Sequence, residues 1–378
     1  RLRVLMQSRV TLFSVPGGDT IQMLKTKQYL ERLGVECDIS LELEPDLSRY
    51  DLVHLFNLMR PQEVFLQARN AKRQGKPVVL SPIYGPYTEY ERYGRPLPYR
   101  ILARLLPPSQ LEYLKVLGRA VKGREYHAGT RAVLFKGYLP LVRETLQLSD
   151  FLLPNSYSEM SRLQSDFGRL ADKPFLVVPN AADVHLFDPS RVEGTGKYDY
   201  LKDCVLCVAR IEGRKNQLNL VKAVRSAPYS LALVGEPAPN HRLYAELVRR
   251  SAPPNCHMLG RVPHEELPEL YHVAKVHVLP SWMETPGLSS LEAGLMGCNL
   301  VITDKGDARE YFGGHAYYCE PGSVESIREA IDRAWHDPLN PALRQHILEE
   351  FTWEKAAERT KEAYVAVLAA SNSASPVG

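Results

Sequence analysis

Several things are scarce or missing in these 378 residues. No apolar run approaches the about 18 residues that a bilayer-spanning helix needs. No secretory leader is legible, and an opening at Arg1 rather than Met reads as a trimmed start. The net charge is only +3, which argues against a general nucleic-acid binder. The six cysteines, Cys37, Cys204, Cys207, Cys256, Cys298 and Cys319, have no disulfide-framework spacing, so a reducing cytoplasm is expected. Cys204 and Cys207 are the one close pair. They fall in an apolar strand-like run, where residues three apart point to opposite faces. Buried core thiols are expected there rather than zinc ligands, since no second Cys/His pair with zinc spacing accompanies them. No repeat of fixed period is present.

What is present is alternation. Apolar content of 44% and charge of 24% are those of a globular protein, and the length suffices for two domains. Strand-like runs are predicted at Leu2–Gln7, Cys37–Leu41, Asp51–Phe56, Pro77–Ser81, Asp150–Pro154 and Phe175–Val178. Between them lie a helix capped by Asp19 and stopped by Gly34, a second over Pro61–Arg73, and a long, basic, helical stretch from Tyr87 to Leu148. After the polar stretch Ser190–Lys202 a second series begins. Its strands are Cys204–Ile211, Ser230–Gly235, Cys256–Val262, Val276–Pro280 and Asn299–Thr303. Its helices are Asn216–Ser226, Arg242–Ser251, His264–Ala274, Leu288–Met296, Val324–Trp335, Pro341–Glu350 and Trp353–Leu368, with a disordered tail over Ser371–Gly378. Such alternation predicts βαβ units, hence two doubly wound α/β domains joined near residues 180–200. Ligands of such sheets sit beyond the carboxyl ends of the strands.

One stretch there combines several signals. Glu284 ends the apolar run Val276–Pro280, a Pro-Gly turn follows, and a helix starts at Leu288 and carries Glu292. Free N–H groups at a helix start favour an anion, typically phosphate. Acids touching the phosphate would repel it, so Glu284 and Glu292 are better placed to accept hydrogen bonds from hydroxyls on either side. That arrangement points to a nucleotide sugar. Arg210 and Lys215 flank the predicted turn after Cys204–Ile211, where two cations can converge on a diphosphate; an ordinary charged loop accounts for them as well. Gly17 and Gly18 sit between the first strand and the first helix, as a ligand-approaching loop or a plain tight turn. From Arg92 to Arg143 there are eleven Lys or Arg against two acids, interleaved with Ile101, Leu102, Leu105, Leu111, Leu114 and Leu117. This reads equally as a membrane-surface or acidic-ligand contact and as a solvated helix face.

Glu284 followed by Glu292-Ala293 resembles the E-x7-E motif of retaining glycosyltransferases of the two-Rossmann-domain (GT-B) type, the group around glycosyltransferase family 4. Other segments resemble that family in order. Arg210 to Lys215 looks like its phosphate clamp, with Ala209 and Asn216 in place of the flanking glycines. Val177 to Asp183, then Phe187 and Pro189, looks like its linker motif. Leu233 to Glu236, Leu259 to Val262 with Glu265 to Leu267, and Phe351 to Glu354 look like three further segments. The resemblance is dense over residues 175–360 and thin before them.

The resemblance implies a fold of two facing, Rossmann-like doubly wound domains: residues 1–180 for the acceptor, rejoined by a closing helix over 355–378, and residues 181–354 for the donor. It implies a hexose moved with retention from a nucleotide-diphosphate sugar to an acceptor hydroxyl; the basic region Arg92–Arg143 points to a glycan or lipid-linked, or polyanionic, acceptor, as in surface polysaccharide assembly. Glu284 would bind donor sugar hydroxyls and Glu292 the ribose. Arg210 and Lys215 would hold the diphosphate with the N–H groups of Gly287, Leu288 and Ser289. Gly17 and Gly18 would approach the donor phosphate or acceptor, and Gly260, Arg261 and Val262 the base. No Asp-x-Asp is present, so no metal and no cofactor are expected. A cytoplasmic protein, peripheral at the inner membrane face through residues 92–143, would fit. One departure stands out. Many relatives carry a His after the fourth strand of the first domain, whereas here Pro82 or Ile83 occupies the place. Ser81 or Tyr84 could supply a hydrogen bond, and His127 is read as structural. Two other readings stay open: a nucleotide-sugar-binding subunit without catalysis, and a phosphorylase or epimerase on the same fold.

Overall fold

The computed structural model describes residues 1–85, 89–95, 97–121 and 127–373. The chain divides into two compact units, one of Arg1–Pro86, Ala103–Asn180 and Trp353–Gly378, the other of Tyr87–Leu102 and Ala181–Thr352. The sequence assigned all of residues 1–180 to one domain. Residues 87–102 instead group with the second unit, where Tyr90 and Glu91 are buried.

In the first unit five strands, β1 (Arg3–Gln7), β2 (Glu36–Ile39), β3 (Leu52–Phe56), β4 (Val78–Ser81) and β5 (Phe151–Leu152), run parallel in the order β2-β1-β3-β4-β5. Every residue of β3 and β4 is buried, as continuous apolar strands must be when helices cover both faces of a parallel sheet. Strand order reverses at β1 and β3, which makes the ends of these strands the sheet's crevice. The predicted strand Phe175–Val178 is only an extended stretch. Leu176 and Val178 donate to the carbonyls of Leu152 and Pro154, while Pro174 and Pro179 bracket the segment and lack the N–H a ladder needs. The first helix spans Gly18–Arg32 with Gly17, not Asp19, at its N-cap. The closing helix, Trp353–Ser373, belongs to this unit. Its Tyr364 hydroxyl lies 2.6 Å from His54 Nδ1, and its Lys361 donates to the Leu33 carbonyl. It runs into the tail expected to be disordered from Ser371; residues 374–378 lie outside the described ones.

The second unit holds β6 (Val205–Val208), β7 (Leu231–Val234), β8 (Cys256–Gly260), β9 (Val276–Leu279), β10 (Asn299–Thr303) and β11 (Ala316–Cys319), all parallel, in the order β11-β10-β9-β6-β7-β8. This is the doubly wound Rossmann order, with its switch point between β6 and β9. The sequence reading missed β11. It is an edge strand, half-exposed at three of its four positions, so it lacks the apolar run that marks a buried strand. Cys204 and Cys207 lie in the core, where burial pushes both thiols up to about 12. The two units therefore form the pair of parallel-sheet α/β domains that the resemblance implied.

Candidate functional site

The loops leaving β6 and β9 lie side by side at the second sheet's switch point. After β6 the chain passes Ala209 and Arg210 and forms a single 3₁₀ turn, Gly213–Lys215. Gly235, at the end of β7, lets this segment lie close, since a Cβ there would fall 2.0 Å from the Ala209 carbonyl oxygen. Asn216 then takes a left-handed conformation (φ +64°) that asparagine tolerates better than most residues. Its amide donates to the carbonyls of Pro280 (2.9 Å) and Pro321 (2.7 Å), so the asparagine that replaces a family glycine also ties the loop to β9.

The β9 loop brings Glu284 back to this turn. Two backbone hydrogen bonds fix it: its N–H donates to the Lys305 carbonyl, and its carbonyl accepts from Asp307. Gly306 permits that contact, because a Cβ there would lie 2.1 Å from the Glu284 carbonyl oxygen. Glu284 Oε1 accepts from Ser281 Oγ (2.7 Å) and from Lys215 Nζ, with Arg214 Nη1 at 3.6 Å. Arg214 also donates to the Met283 carbonyl and to Glu212. Burial pushes the Glu284 carboxyl up, but the charges of Lys215 and Arg214 outweigh it and hold the group below the usual carboxylate range. Glu212 is lowered in the same way, with Arg214 and Lys215 overcoming its burial. Burial and the neighbouring Arg214 together draw Lys215 below the ordinary lysine range.

Gly287 (φ +94°) opens the helix Leu288–Leu295, where a Cβ would press on Leu279 at 2.9 Å. No side chain caps this helix start and no acid lies in its first turn. One turn on, Glu292 accepts from Tyr271 Oη at 3.1 Å and meets His264 Nε2 at 3.1 Å. His264 follows Gly260–Val262, whose Gly260 accepts from the Gly235 N–H, so the β8 end and Glu292 are joined through one histidine.

Of the residues singled out in the sequence, Lys215 and Glu284 come together, with Gly287, Leu288 and Ser289 on the helix start beside them. Arg210 does not converge with Lys215 on one point. Its side chain is 42% exposed and lies 4.0 Å from Glu212, while Arg214, passed over in the sequence, stands with Lys215 at Glu284. Ser281, His264 and Tyr271 were missed as well. Ser281 lies in a loop, which carries no periodicity, while His264 in its 3₁₀ turn and Tyr271 on the helix Leu267–Val273 read as ordinary until the fold brings them to Glu292.

In the first unit, Gly17 and Gly18 stand at the β1–β3 switch point. Arg9 holds Asp19 with two hydrogen bonds (2.7 and 2.9 Å), and Asn57 adds a third. Nothing lies within 4 Å of a Cβ built on Gly18, so no contact requires glycine there. The two substitutes proposed for the absent histidine are engaged internally. Ser81 Oγ sits 2.8 Å from His54 Nε2, and Tyr84 Oη donates to Asp166. His54 is wholly buried, which holds it down to about 3 and therefore neutral. His127 caps the helix Ala128–Lys136 by accepting from the Gly129 N–H.

Residues 200–351 match the family Glycosyl transferases group 1. The chain is 30% identical over 171 residues to the O-antigen chain mannosyltransferase B of Escherichia coli, covering 42% of this chain and 45% of that protein. It is 29% identical over 174 residues to a glycogen synthase of Mycobacterium tuberculosis, covering 43% and 42%. The matched stretch thus spans less than half the length of these two relatives. Among solved structures, a sucrose-phosphate synthase from Thermosynechococcus elongatus superposes with a TM-score of 0.71 at 16% identity, covering 98% of this chain and 100% of that one. The Anabaena protein HepE, in complex with UDP and glucose, gives 0.68 at 14% identity, covering 97% and 100%. At these identities the likeness is one of fold, and it extends over the whole chain.

Proposed function

We propose, from the match of residues 200–351 to Glycosyl transferases group 1, that the protein is a retaining, metal-independent glycosyltransferase. It moves a hexose-type sugar from a nucleotide diphosphate to an acceptor hydroxyl. The observation that carries this reading is the buried cluster of Lys215, Arg214, Ser281 and Glu284 beside the uncapped start of Leu288–Leu295. In this reading the diphosphate takes Lys215 and Arg214, with Arg210 reaching in from the exposed side and the N–H groups of Gly287, Leu288 and Ser289 completing the anion site. Those cations do the charge neutralisation that a metal ion does elsewhere. Glu284 turns to the sugar hydroxyls and Glu292 to the ribose, with the base near Gly260, Arg261 and Val262. Retention follows the family, with front-face attack assisted by the leaving phosphate.

The test is a thermal-shift screen against UDP, GDP, ADP and their sugars without added metal, followed by transfer assays. A ligand that binds only the folded state raises the unfolding midpoint. A shift with one base, lost in Lys215→Ala and Arg214→Ala, supports the reading. No shift with any nucleotide would overturn it, and a shift without transfer would favour the nucleotide-sugar-binding subunit without catalysis.

We also propose that the acceptor is met at an anionic membrane surface. The helix Leu97–Leu105 exposes Leu97, Tyr99, Ile101, Leu102 and Leu105, and it carries Arg100 and Arg104 with no acid. Apolar wedges beside cations suit an anionic lipid layer. Among the described residues no helix is long and apolar enough to cross a membrane. Binding to phosphatidylglycerol vesicles at low salt, weakened by salt and by a Leu97→Ser/Ile101→Ser/Leu105→Ser variant, is expected. Equal binding by that variant would remove this surface from consideration.

A further inference from the structure

The stretch that leaves the first unit after β4 does not simply bridge to the next helix. Its π-helical turn, Tyr90–Gly94, is docked on the second unit against the turn Gly213–Lys215. A Cβ on Gly213 would fall 2.2 Å from Tyr90 Oη and 3.1 Å from its Cζ, so the tyrosine lies where only glycine leaves room. Gly94 does the same on the other side, where a Cβ would lie 2.8 Å from Trp282 Nε1. Trp282 belongs to the β9 loop, and its N–H donates to the Arg214 carbonyl at 3.0 Å. Glu89, just before the turn, meets Lys305 Nζ at 3.2 Å, and the Lys305 carbonyl accepts from the Glu284 N–H. One short segment therefore touches the loops that leave β6, β9 and β10, the same loops that build the cluster around Glu284. Tyr90 is itself buried, and the guanidinium of Arg95 stands 5.3 Å from its ring centre and pairs with Glu91.

We propose that the turn Tyr90–Gly94 is part of the donor site and that Tyr90 is a positioning residue, pressing on Gly213 so that Arg214 and Lys215 stay presented at Glu284. The backbone it presses on is a single 3₁₀ turn, which has little rigidity of its own. A displacement of about 1 Å in a group that holds the reacting centre can cost about a hundredfold in rate. The inference rests on the nucleotide-sugar reading above. It deepens that reading by adding a wall that comes from outside residues 200–351.

The experiment measures nucleotide affinity and kcat/KM for the wild type, Tyr90→Ala, Tyr90→Phe, Lys215→Ala and the Tyr90→Ala/Lys215→Ala pair, at a temperature where each is folded. Tyr90→Ala is expected to lower kcat/KM about a hundredfold, and Tyr90→Phe, which keeps the ring, to restore most of it. Because Tyr90 acts through the cations, Lys215→Ala should cost far less in the Tyr90→Ala background than in the wild type. A merely structural tyrosine would lower the melting temperature and leave the two losses additive, and that result overturns the inference. If Tyr90→Ala does not fold, Gly213→Ala tests the same contact from the other side, and unchanged kcat/KM there overturns it equally. A wild type that binds no nucleotide overturns the functional reading itself, a distinct outcome.

Discussion

Lys215 Nζ donates to Glu284 Oε1, joining the loop after β6 to the loop after β9 across 69 residues of sequence. Both side chains are nearly buried, at 14% and 10% exposure, and Arg214 shares the same carboxylate. Glu284→Gln keeps the shape but takes the carboxylate partner from the largely buried Lys215, while Arg214 keeps Glu212. Breaking a buried pair from one side costs about 3–5 kcal/mol, whereas replacing both partners with apolar groups is often nearly neutral. Urea denaturation should therefore show Glu284→Gln clearly less stable than Lys215→Met/Glu284→Leu, with both inactive in transfer. A double variant no more stable than the single one would mean that the pair is not the main thing Glu284 satisfies.

The same carboxylates set an acid limit. Glu284 and Glu212 are held below the ordinary glutamate value of 4.5 by Lys215 and Arg214, against the push of burial. A lowered folded value means that their contribution is complete above the unfolded value and is lost as pH falls through the folded one. Stability should hold from neutrality down to about pH 4.5 and then drop. In Glu284→Gln the drop should be shallower. Melting temperatures between pH 3 and 7 decide this, and an identical slope in the variant would assign the acid limit to other carboxylates.

Arg210 and Arg214 should separate cleanly. Arg214 donates to Met283 and Glu212 and leans on Glu284, so Arg214→Ala should lower both stability and nucleotide affinity. Arg210 is 42% exposed and only 4.0 Å from Glu212, so Arg210→Ala should leave the melting temperature in place. Its cost should appear in nucleotide affinity, about tenfold for one lost charge-assisted hydrogen bond. Calorimetric titration with the nucleotide found in the screen, run beside thermal unfolding, checks both. Arg210→Ala binding like the wild type would leave Lys215 and Arg214 as the whole side-chain clamp.

Much of this architecture is legible in the residues, and the exceptions have physical causes. Strands such as β3, β9 and β10 announce themselves because a parallel strand covered on both faces must be apolar throughout. β11 does not, because at the sheet edge half-exposed tyrosines serve as well as buried valines. Phe175–Val178 misleads in the other direction: its composition is right, but its flanking prolines withhold the donors a ladder requires. At the site, Glu284 and Lys215 could be found because their spacing from strand ends is fixed. Arg214, Ser281 and Tyr90 could not, because their part depends on which loops the switch point brings together and on glycines 213 and 94 that look like ordinary turn residues.

Asn216 offers the sharpest test of how the site is held. It replaces a glycine of the family pattern, keeps the left-handed backbone, and adds two amide hydrogen bonds to the buried Pro280 and Pro321 carbonyls. Asn216→Ala loses both bonds and puts a Cβ residue at φ +64° without the asparagine's compensation. The buried Pro280 carbonyl left unsatisfied costs about 1–3 kcal/mol, the Pro321 carbonyl keeps the Asn219 amide, and the backbone adds roughly 1 more. Asn216→Gly loses the same two bonds but none of the backbone ease, so it should fall between wild type and alanine. Because Asn216 directly follows Lys215, transfer activity should fall in the same order as stability. Chemical denaturation and initial rates on the three proteins measure this directly. If Asn216→Gly proves less stable than Asn216→Ala, the left-handed conformation is not what this position is selected to hold, and the two side-chain bonds alone must explain the asparagine.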